Sequence, residues 1–245
     1  MGRLKPARRL PSDVKITVTT AGKTKVAYTL TLTVTPMAAW AVGTFDGGGD
    51  DGQLTLTVAA TGKISGKYIG VDGKTWTLSA ANFYELDEST PLYSAELLAK
   101  SGKETSTFTL EIGVNEKMEG CGLAEIRDEN DDVLGNLYQT KWKVEPWKGI
   151  AGKIAKAAAF EYPANDEAGN IGTITLKFAA SGKVTAKGVF GSNAASCSTV
   201  IVPLSNPDSN ESFGFCIYVC LPQKGKFAGY CGVTPLSIWT GTSLE

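Results

Sequence analysis

Apolar and polar residues alternate along much of the chain. Every second residue is apolar in GQLTLTV (52–58), and the same period returns in ISGKYIG (64–70). A period of two is typical of a β-strand with one buried face. A three-residue loop that ends at Gly62 keeps the apolar faces together, because it places Val58 opposite Ile64, and glycine supplies the positive φ that such a loop needs. The pattern therefore predicts an antiparallel hairpin.

The hairpin sequence occurs twice. Residues 52–67 and 172–187 are identical at eight of sixteen positions, at a constant offset of 120. Self-similarity at a fixed offset indicates repeated structural units, and this offset is that of a domain rather than of a short solenoid repeat. The same loop rule predicts that Leu176 lies opposite Ala186 in the second copy.

A second hairpin follows the first in both halves. Residues 106–123 resemble residues 212–233 in their alternation of apolar and polar positions. Three-residue loops again bring apolar residues together across each hairpin. The predicted pairs are Ile112 with Met118 and Leu221 with Phe227.

The chain is predicted to be all-β, with two tandem, duplicated antiparallel β units that form a barrel or a sandwich and with very little helix. Its 245 residues accommodate one large β domain or two smaller ones. We expect roughly fifteen short strands, because turn residues recur between the alternating runs. The alanine-rich stretch 151–160 is interpreted as a strand. The predicted segments are 1–36, an N-terminal β segment, 37–146, the first β repeat, and 147–245, the second β repeat.

The N-terminal segment differs from the repeats. Residues 13–36 (DVKITVTTAGKTKVAYTLTLTVTP) are predicted to form two long, threonine-rich strands. They resemble the last strands of bacterial immunoglobulin-like modules. This resemblance implies that the chain is part of a longer, multidomain protein. Met1 is followed by a basic stretch without the apolar core of a signal peptide, and no uninterrupted apolar run is long enough to span a membrane.

The sequence contains no histidine. This excludes the most common general base, the Ser-His and Cys-His nucleophile pairs and the most common transition-metal ligand. The GKT triplets at 22–24 and 73–75 lack the earlier glycine of a phosphate-binding loop. Basic residues are scattered, so we expect no nucleic-acid partner. We expect no enzyme activity, and a carboxylate-based glycosidase is the remaining enzymatic alternative.

Acidic loops provide the oxygen ligands that calcium prefers. One loop spans residues 45–52 (FDGGGDDG), another spans 127–136 (RDENDDVLGN), and 160–172 is the counterpart of the first loop in the second half. Asp, Asn and Gly are also the ordinary residues of turns, so both interpretations stay open, and no other cofactor is expected. The candidate calcium ligands are Asp46, Asp50, Asp51, Asp128, Asn130 and Asp132.

Five cysteines offer thiol chemistry, and four of them lie in the second half. Cys216 and Cys220 share one face of a predicted strand, but at about 3.3 Å per residue they lie about 13 Å apart, too far for a disulfide. The predicted register places Cys231 on the other, apolar face, across from Ile217. The pairing stays open: the thiols are free and buried, or they pair with Cys197 or with another strand. The five cysteines are Cys121, Cys197, Cys216, Cys220 and Cys231.

The segment GQLTLTVAATGKISGKY…GKTWTLSAANF (52–83) resembles the repeated β hairpins of bacterial secreted and surface proteins, including calycin-like barrels and the barrel lobes of transferrin-binding-protein-B-like lipoproteins. Together with the threonine-rich strands and the lack of a catalytic constellation, it favours a non-enzymatic structural or adhesive module, outside the cell or at its surface. The expected partners are other modules of the same larger protein, a carbohydrate, or a host or cell-surface protein. No ligand position of those families is matched here, so none is carried over.

The main alternative is a ligand-binding β-barrel for a small apolar molecule or a glycan, because a barrel of about eight strands can hold one small ligand. Gly66, Ala186 and Gly229 are predicted to face inwards, and such small residues favour close packing or curvature over a roomy cavity. Trp76 is predicted to lie in the core, since it shares a strand face with Leu78.

Overall fold

A computed structural model describes the chain over residues 13–19, 25–31, 37–80, 83–87, 92–114, 121–140, 160–179, 184–204 and 214–235. The prediction of an all-β fold is confirmed: the described residues are mostly strands, with no α-helix and one 3₁₀ helix, Ala39–Ala41. The strands are β1 (Asp13–Thr19), β2 (Lys25–Thr31), β3 (Gly43–Gly49), β4 (Gly52–Val58), β5 (Ile64–Gly70), β6 (Thr75–Ala80), β7 (Tyr84–Asp87), β8 (Leu92–Ser101), β9 (Glu104–Val114), β10 (Gly122–Arg127), β11 (Val133–Gln139), β12 (Phe160–Asn165), β13 (Ile171–Phe178), β14 (Val184–Phe190), β15 (Asn193–Leu204), β16 (Gly214–Leu221) and β17 (Tyr230–Pro235).

Eight of the described strands close into an antiparallel barrel. Strands β3 to β6 form one meander, and β8 to β11 form another. The meanders join where β3 pairs with β11 and where β6 pairs with β8, with Thr77 opposite Lys100 and Ser79 opposite Leu98. Strand β7 pairs with β8 beside this second join. Closure leaves these strands without the unpaired edges that template aggregation.

Apolar side chains fill the interior of the barrel. An eight-stranded barrel is just wide enough for side chains to occupy its inside, and Leu56, Leu78, Leu97 and Leu110 are fully buried there. Gly66 belongs to this packing, because a Cβ atom at that position would clash with the Leu56 side chain. The prediction that Gly66 serves close packing is confirmed. The other buried members of this core are Ala41, Phe45, Leu54, Val58, Ile64, Tyr68, Ala95, Ala99, Phe108, Ile112, Ala124, Ile126 and Leu137.

A buried glutamine fastens the 3₁₀ helix to the barrel. Gln139 is 2% exposed, and its Nε2 atom donates hydrogen bonds to the carbonyl oxygens of Ala39 (3.1 Å) and Val42 (2.5 Å). Its Oε1 atom accepts a hydrogen bond from the backbone N–H of Gly122 at 3.3 Å. Buried polar groups destabilise a fold unless they are paired, and these three hydrogen bonds pair the buried amide with the backbone at both of its polar atoms.

Trp76 packs against the barrel core from its edge, rather than within the core as predicted. Its ring is half-buried and lies 6.0 Å from the ring of Phe108, measured between centroids. Tyr68 contacts the same phenyl ring edge-on at 6.3 Å. The Nζ atom of Lys74 lies 4.5 Å from the centroid of the Trp76 ring. This arrangement is a cation–π contact at the exposed side of the aromatic cluster.

Both Gly-Lys hairpins form with the predicted register. Val58 lies opposite Ile64 in the first hairpin, and Leu176 lies opposite Ala186 in the second. Gly62 has a φ of 77°, the left-handed conformation that the three-residue loop needs. The alternation of apolar residues and the position of one glycine were therefore sufficient to fix these registers.

Strands β12 to β17 form a six-stranded antiparallel meander that bends over on itself. Strand β15 serves both parts, since residues 193–199 pair with β14 and residues 200–204 pair with β16. The two parts enclose a second core, in which the Phe190 ring lies 5.2 Å from that of Phe227 and 6.2 Å from that of Tyr230. Its fully buried residues include Ile174, Leu176, Val184, Ala186, Ile217, Val219 and Leu221.

Hydrogen bonds link the two ends of this meander, although its first and last strands do not pair with each other among the described residues. The hydroxyl groups of Tyr162 on β12 and Tyr230 on β17 lie 3.3 Å apart. The backbone N–H of Glu167 donates to the carbonyl oxygen of Gly229 at 2.9 Å. The second half is therefore a curled sheet, whereas the first half is a closed barrel.

The curled sheet packs on the outer wall of the barrel. Leu123 and Tyr138 pair across β10 and β11, and both contact the core of the second half. Their neighbours Ala124 and Leu137 belong to the barrel core, so alternation directs Leu123 and Tyr138 outwards. One outer face of the barrel thereby supplies part of the second core.

The later hairpins have registers that differ from the predicted ones. The connections between β9 and β10 and between β16 and β17 are both longer than the three-residue loops that we predicted. The register of β9 with β10 differs by six residues, an even number that keeps each side chain on its predicted face. The register of β16 with β17 differs by three residues, an odd number that moves each side chain to the other face. Met118 itself lies outside the described residues. The observed pairs are Ile112 with Ala124 and Leu221 with Tyr230, where Met118 and Phe227 are the predicted partners.

The N-terminal strands β1 and β2 pair antiparallel, as the threonine-rich pattern predicts. The barrel lies within the predicted segment 37–146, and the curled sheet lies within 147–245. Of the predicted strand at 151–160, residues 151–159 lie outside the described residues, and Phe160 begins β12.

Candidate functional site

Two cysteines face each other across β16 and β17. Cys220 is directly opposite Cys231, and Ile217 is opposite Thr234. The prediction that Cys231 lies across from Ile217 is wrong. The register differs by three residues, and an odd shift moves every side chain of a strand to the other face. Cys231 therefore lies on the same face of the sheet as Cys220.

The two thiols lie between the curled sheet and the barrel. The thiol of Cys220 donates to the carbonyl oxygen of Ile69 at 3.3 Å, and that of Cys231 donates to the carbonyl oxygen of Gly49 at 3.4 Å. The thiols are also in hydrogen-bond contact with each other. Cys220 is 2% exposed, whereas Cys231 is half-buried. The pair therefore occupies the seam between the two halves, and Cys231 is the more exposed of the two residues.

A glycine allows the two backbones to meet at this seam. Gly229, a predicted inward position, has a φ of 105°, and a Cβ atom there would lie 2.5 Å from the carbonyl oxygen of Val71. The backbone N–H of Gln223 donates to that same oxygen at 2.8 Å. Close approach of main chain to main chain holds the thiol pair in place.

The cysteine pair ionises as a unit, and its two members shift in opposite directions. The hydrogen bond from Cys231 is the main cause that lowers the pKa of Cys220, against burial, which raises it. A backbone hydrogen bond from Gln53 adds to the lowering. The hydrogen bond to Cys220 and burial raise the pKa of Cys231. The first proton to leave therefore leaves a negative charge on Cys220, with the remaining proton between the two sulfurs.

The other thiols are less suited to reaction. Burial, and then the neighbouring charge of Cys220, raise the pKa of Cys197 to about 12, although the backbone of Cys220 hydrogen-bonds to its sulfur. Cys121 is buried in the second core. The side chain of Cys216 lies outside the described residues. Cys220 is buried against the barrel and forms no disulfide, in agreement with the first of the two alternatives, free and buried thiols.

Tyr68 stands beside the thiol pair at the end of the barrel. Burial raises its pKa, and the charges of Asp51, Cys231, Cys220 and Asp72 raise it further in that order. Its hydroxyl group donates to the backbone carbonyl oxygen of Asp51 at 3.2 Å. The phenol therefore stays protonated and acts as a hydrogen-bond donor.

The acidic loop at 45–52 forms the hairpin between β3 and β4. Asp46 lies within β3, whereas Asp50 and Asp51 form the exposed turn. Four extended residues separate Asp46 from Asp50 by about 13 Å. In the part of the chain that the structure describes, no three His, Cys, Asp or Glu side chains lie close enough to hold a metal ion together. The structure does not bring these three calcium candidates together.

The second set of calcium candidates builds the turn between β10 and β11. One carboxylate oxygen of Asp128 accepts hydrogen bonds from the backbone N–H groups of Asn130 (2.8 Å) and Asp132 (3.0 Å). The Nδ2 atom of Asn130 donates to the other oxygen at 3.2 Å. Desolvation raises the pKa of Asp128, these hydrogen bonds lower it, and the net direction is downwards. Asp128 stabilises a turn in which Asp131 adopts a φ of 70°.

The same turn recurs between β12 and β13. The Asp166 carboxylate accepts hydrogen bonds from the backbone N–H groups of Ala168 (3.0 Å) and Asn170 (2.8 Å). Asn170 also donates from Nδ2 to both oxygens of Asp166. The hydrogen bond from Asn170 is the main cause that lowers the pKa of Asp166. Asp166 is 5% exposed, and the backbone of Ala228, just before β17, also hydrogen-bonds to its carboxylate.

Two rows of side chains cross five neighbouring strands on the outside of the barrel. Strands β4, β5, β6, β8 and β9 lie side by side with aligned registers, and the side chains are exposed or half-buried. The local pattern marks each strand, but the rows depend on the β6–β8 pairing, which that pattern does not reveal. We name this surface the hydroxyl face. Its rows are Thr55, Lys67, Thr77, Lys100 and Thr105, and Thr57, Ser65, Ser79, Leu98 and Thr107.

An open groove of about 580 Å³ borders the hydroxyl face. Ser79 and Leu98 belong to both, and Lys63 and Glu96 contribute charges of opposite sign. Leu98 is 41% exposed. The groove therefore combines an apolar contact surface with hydrogen-bonding groups. The remaining lining residues are Thr61, Ile64 and Ala80.

No family model, curated protein or solved structure matches this chain. Within the described ranges, no helix has the length and apolar character needed to cross a membrane.

Proposed function

We propose that the chain is a non-enzymatic structural or adhesive module of a secreted or cell-surface bacterial protein. The observation that carries this proposal is the filled interior of the barrel. Fully buried leucines and other apolar side chains occupy the space in which a barrel would carry a ligand. This packing favours a rigid support over the alternative, a carrier of a small apolar molecule or glycan.

The hydroxyl face is the surface on which we place the adhesive contact. Serine and threonine hydroxyl groups both donate and accept hydrogen bonds, and Lys67 and Lys100 add positive charge within one of its rows. Exposed hydroxyl rows on rigid strands match a partner rich in polar groups. The expected partners are a carbohydrate, a host or cell-surface protein, or another module of the same larger protein.

The two halves use the same register in the Gly-Lys hairpin. This similarity supports an origin of the module by internal duplication. In this proposal, β1 and β2 are the end of an immunoglobulin-like module that acts as a spacer before the barrel.

Retention of the purified protein on immobilised polysaccharides and cell-surface extracts tests the adhesive surface. The variant Thr77→Glu/Lys100→Glu changes the hydroxyl face, and Thr185→Glu/Lys187→Glu makes the same chemical changes on exposed positions of β14. We expect the first variant to lose retention and the second to keep it. Equal retention of both variants would contradict this surface, and release of reducing sugars at enzymatic rates would contradict a non-enzymatic role.

A further inference from the structure

We propose that Cys220 and Cys231 form a reversible dithiol–disulfide couple that reacts with small disulfides such as oxidised glutathione. This inference does not rest on the proposed adhesive function. It rests on the strand register, the mutual contact of the thiols and their different exposure.

The backbone separation of the two residues is compatible with a bond between their sulfurs. Directly opposite residues of an antiparallel pair have Cα atoms about 4.5–5.5 Å apart, within the range of about 4.4–6.8 Å found in disulfides. Cys220 and Cys231 are directly opposite, and their thiols are in contact. Rotation of the side chains and a small strand adjustment are sufficient to join them.

The alternative partner, Cys197, is less well placed. It lies on β15 opposite Ala186 of β14, and its sulfur packs against the second core. The backbone of Cys220 hydrogen-bonds to that sulfur, whereas Cys231 lies directly opposite Cys220 on the neighbouring strand. The structure therefore favours one pair among the three neighbouring thiols.

The exchange takes place in two balanced steps. The singly ionised pair carries its charge mainly on Cys220, and the half-buried Cys231 becomes the nucleophile in the less populated form in which the shared proton has moved to Cys220. A small disulfide reaches the sulfur of Cys231 in this form. Attack forms a mixed disulfide and releases one small thiolate. The sulfur of Cys220, after losing its proton to solvent, then attacks that of Cys231 and expels the second thiolate. The two protein thiols are oxidised, the small disulfide is reduced to two thiols, and both protons pass to those products.

Oxidation changes the seam between the two halves. In the reduced protein, the S–H groups donate to the carbonyl oxygens of Ile69 and Gly49. The disulfide has no S–H group, so both of these donors to the barrel disappear while β16 and β17 become linked. The redox state of the pair thus changes the hydrogen bonding between the barrel and the sheet.

The test starts from the full chain, fully reduced under native conditions and incubated with mixtures of oxidised and reduced glutathione. Unreacted thiols are then alkylated, and the intact mass and the linked peptides are measured. Trypsin cleaves at Lys224 and Lys226, between the two cysteines, and chymotrypsin cleaves at Tyr218, which separates Cys216 from Cys220. We expect a product that has lost two hydrogen atoms and contains the Cys220–Cys231 link.

Variants distinguish this pair from its neighbours. We expect Cys197→Ser and Cys121→Ser to form the same link as the original chain, and Cys220→Ser to stop at a mixed disulfide on Cys231. A link from Cys197 to either cysteine would overturn the proposal. Complete alkylation of both cysteines after oxidation, or a link that forms only in denaturant, would overturn it as well. The disulfide-linked peptides of the original chain test the Cys220–Cys231 pairing even if a variant folds poorly.

Discussion

Leu56 and Gly66 face each other across β4 and β5, and the leucine side chain occupies the space that a Cβ atom at Gly66 would need. Such a Cβ would also meet the carbonyl oxygen of Thr55. Overpacking of a filled core destabilises a protein by about 1–3 kcal/mol. We expect Gly66→Ala to lower the free energy of unfolding by that amount, measured by denaturant titration.

A second glycine provides the control for this substitution. A Cβ atom at Gly113 on β9 would make an ordinary contact, 3.6 Å from Leu92 Cδ1. We expect Gly113→Ala to leave stability unchanged or slightly raised, because alanine in a strand loses less backbone entropy on folding. Equal effects at both positions would show that the barrel interior yields readily, contrary to a filled core.

The buried amide of Gln139 is predicted to be essential for the closed end of the barrel. Gln139→Leu preserves the volume but leaves the carbonyl oxygens of Ala39 and Val42 without this donor. An unsatisfied buried group destabilises a fold by about 1–3 kcal/mol. We expect a loss in this range by thermal or chemical unfolding. Gln223→Leu, at an exposed position, is the control and is expected to change stability by less than about 0.5 kcal/mol; a similar loss in both would contradict the role of the amide.

Asp166 is predicted to make stability depend on acidity. Its hydrogen bonds to Asn170 and to backbone N–H groups lower its pKa in the folded state, so the unfolded chain binds more protons in acid. The contribution of Asp166 is therefore full above the unfolded pKa of about 4 and is lost as the pH falls through the lower, folded value. Unfolding titrations across this range should show a weaker acid dependence in Asp166→Asn.

The neighbouring carboxylate controls for the change of charge. Glu167→Gln removes one negative charge from the same turn at an exposed position. We expect this variant to keep the acid dependence of the original chain. If Asp166→Asn and Glu167→Gln have the same pH profile, the hydrogen bonds of Asp166 do not determine it.

Oxidation of the thiol pair is predicted to raise the unfolding temperature. A disulfide between Cys220 and Cys231 closes a short loop and limits the unfolded chain, which stabilises by about 3 kcal/mol in the chain-entropy model. Scanning calorimetry of the oxidised and reduced chain should show the higher midpoint in the oxidised form. The double variant Cys220→Ser/Cys231→Ser should melt at one temperature under both conditions; a redox-dependent midpoint in that variant would assign the effect to another cysteine.

The local part of the fold was predictable from the sequence because short hairpins carry their own register. In the hairpin with Val58 opposite Ile64, the apolar period and the positive φ of Gly62 leave one arrangement that keeps both apolar faces together. Closure of the barrel was not predictable in this way. It depends on the pairing of Thr77 with Lys100, which are distant in the sequence and carry no local signal.

The thiol site was missed for a related reason. Its cysteines were recognised, but the loop between Leu221 and Tyr230 contains no single turn signal that defines its length. An error of three residues moved Cys231 to the wrong face and separated it from Cys220. The hydrogen bonds to Ile69 and Gly49 depend in addition on how the two halves pack, which alternation along one strand does not encode.

Native mass spectrometry, beside the denatured intact mass, tests the filled barrel most directly. The chain is measured as purified and again after incubation with a mixture of fatty acids and short glycans. Because buried side chains occupy the interior, we predict the mass of the bare chain in both samples. A stoichiometric small-molecule adduct that disappears on denaturation, and that binds equally well to the hydroxyl-face variant Thr77→Glu/Lys100→Glu, would contradict a structural module and identify a carrier.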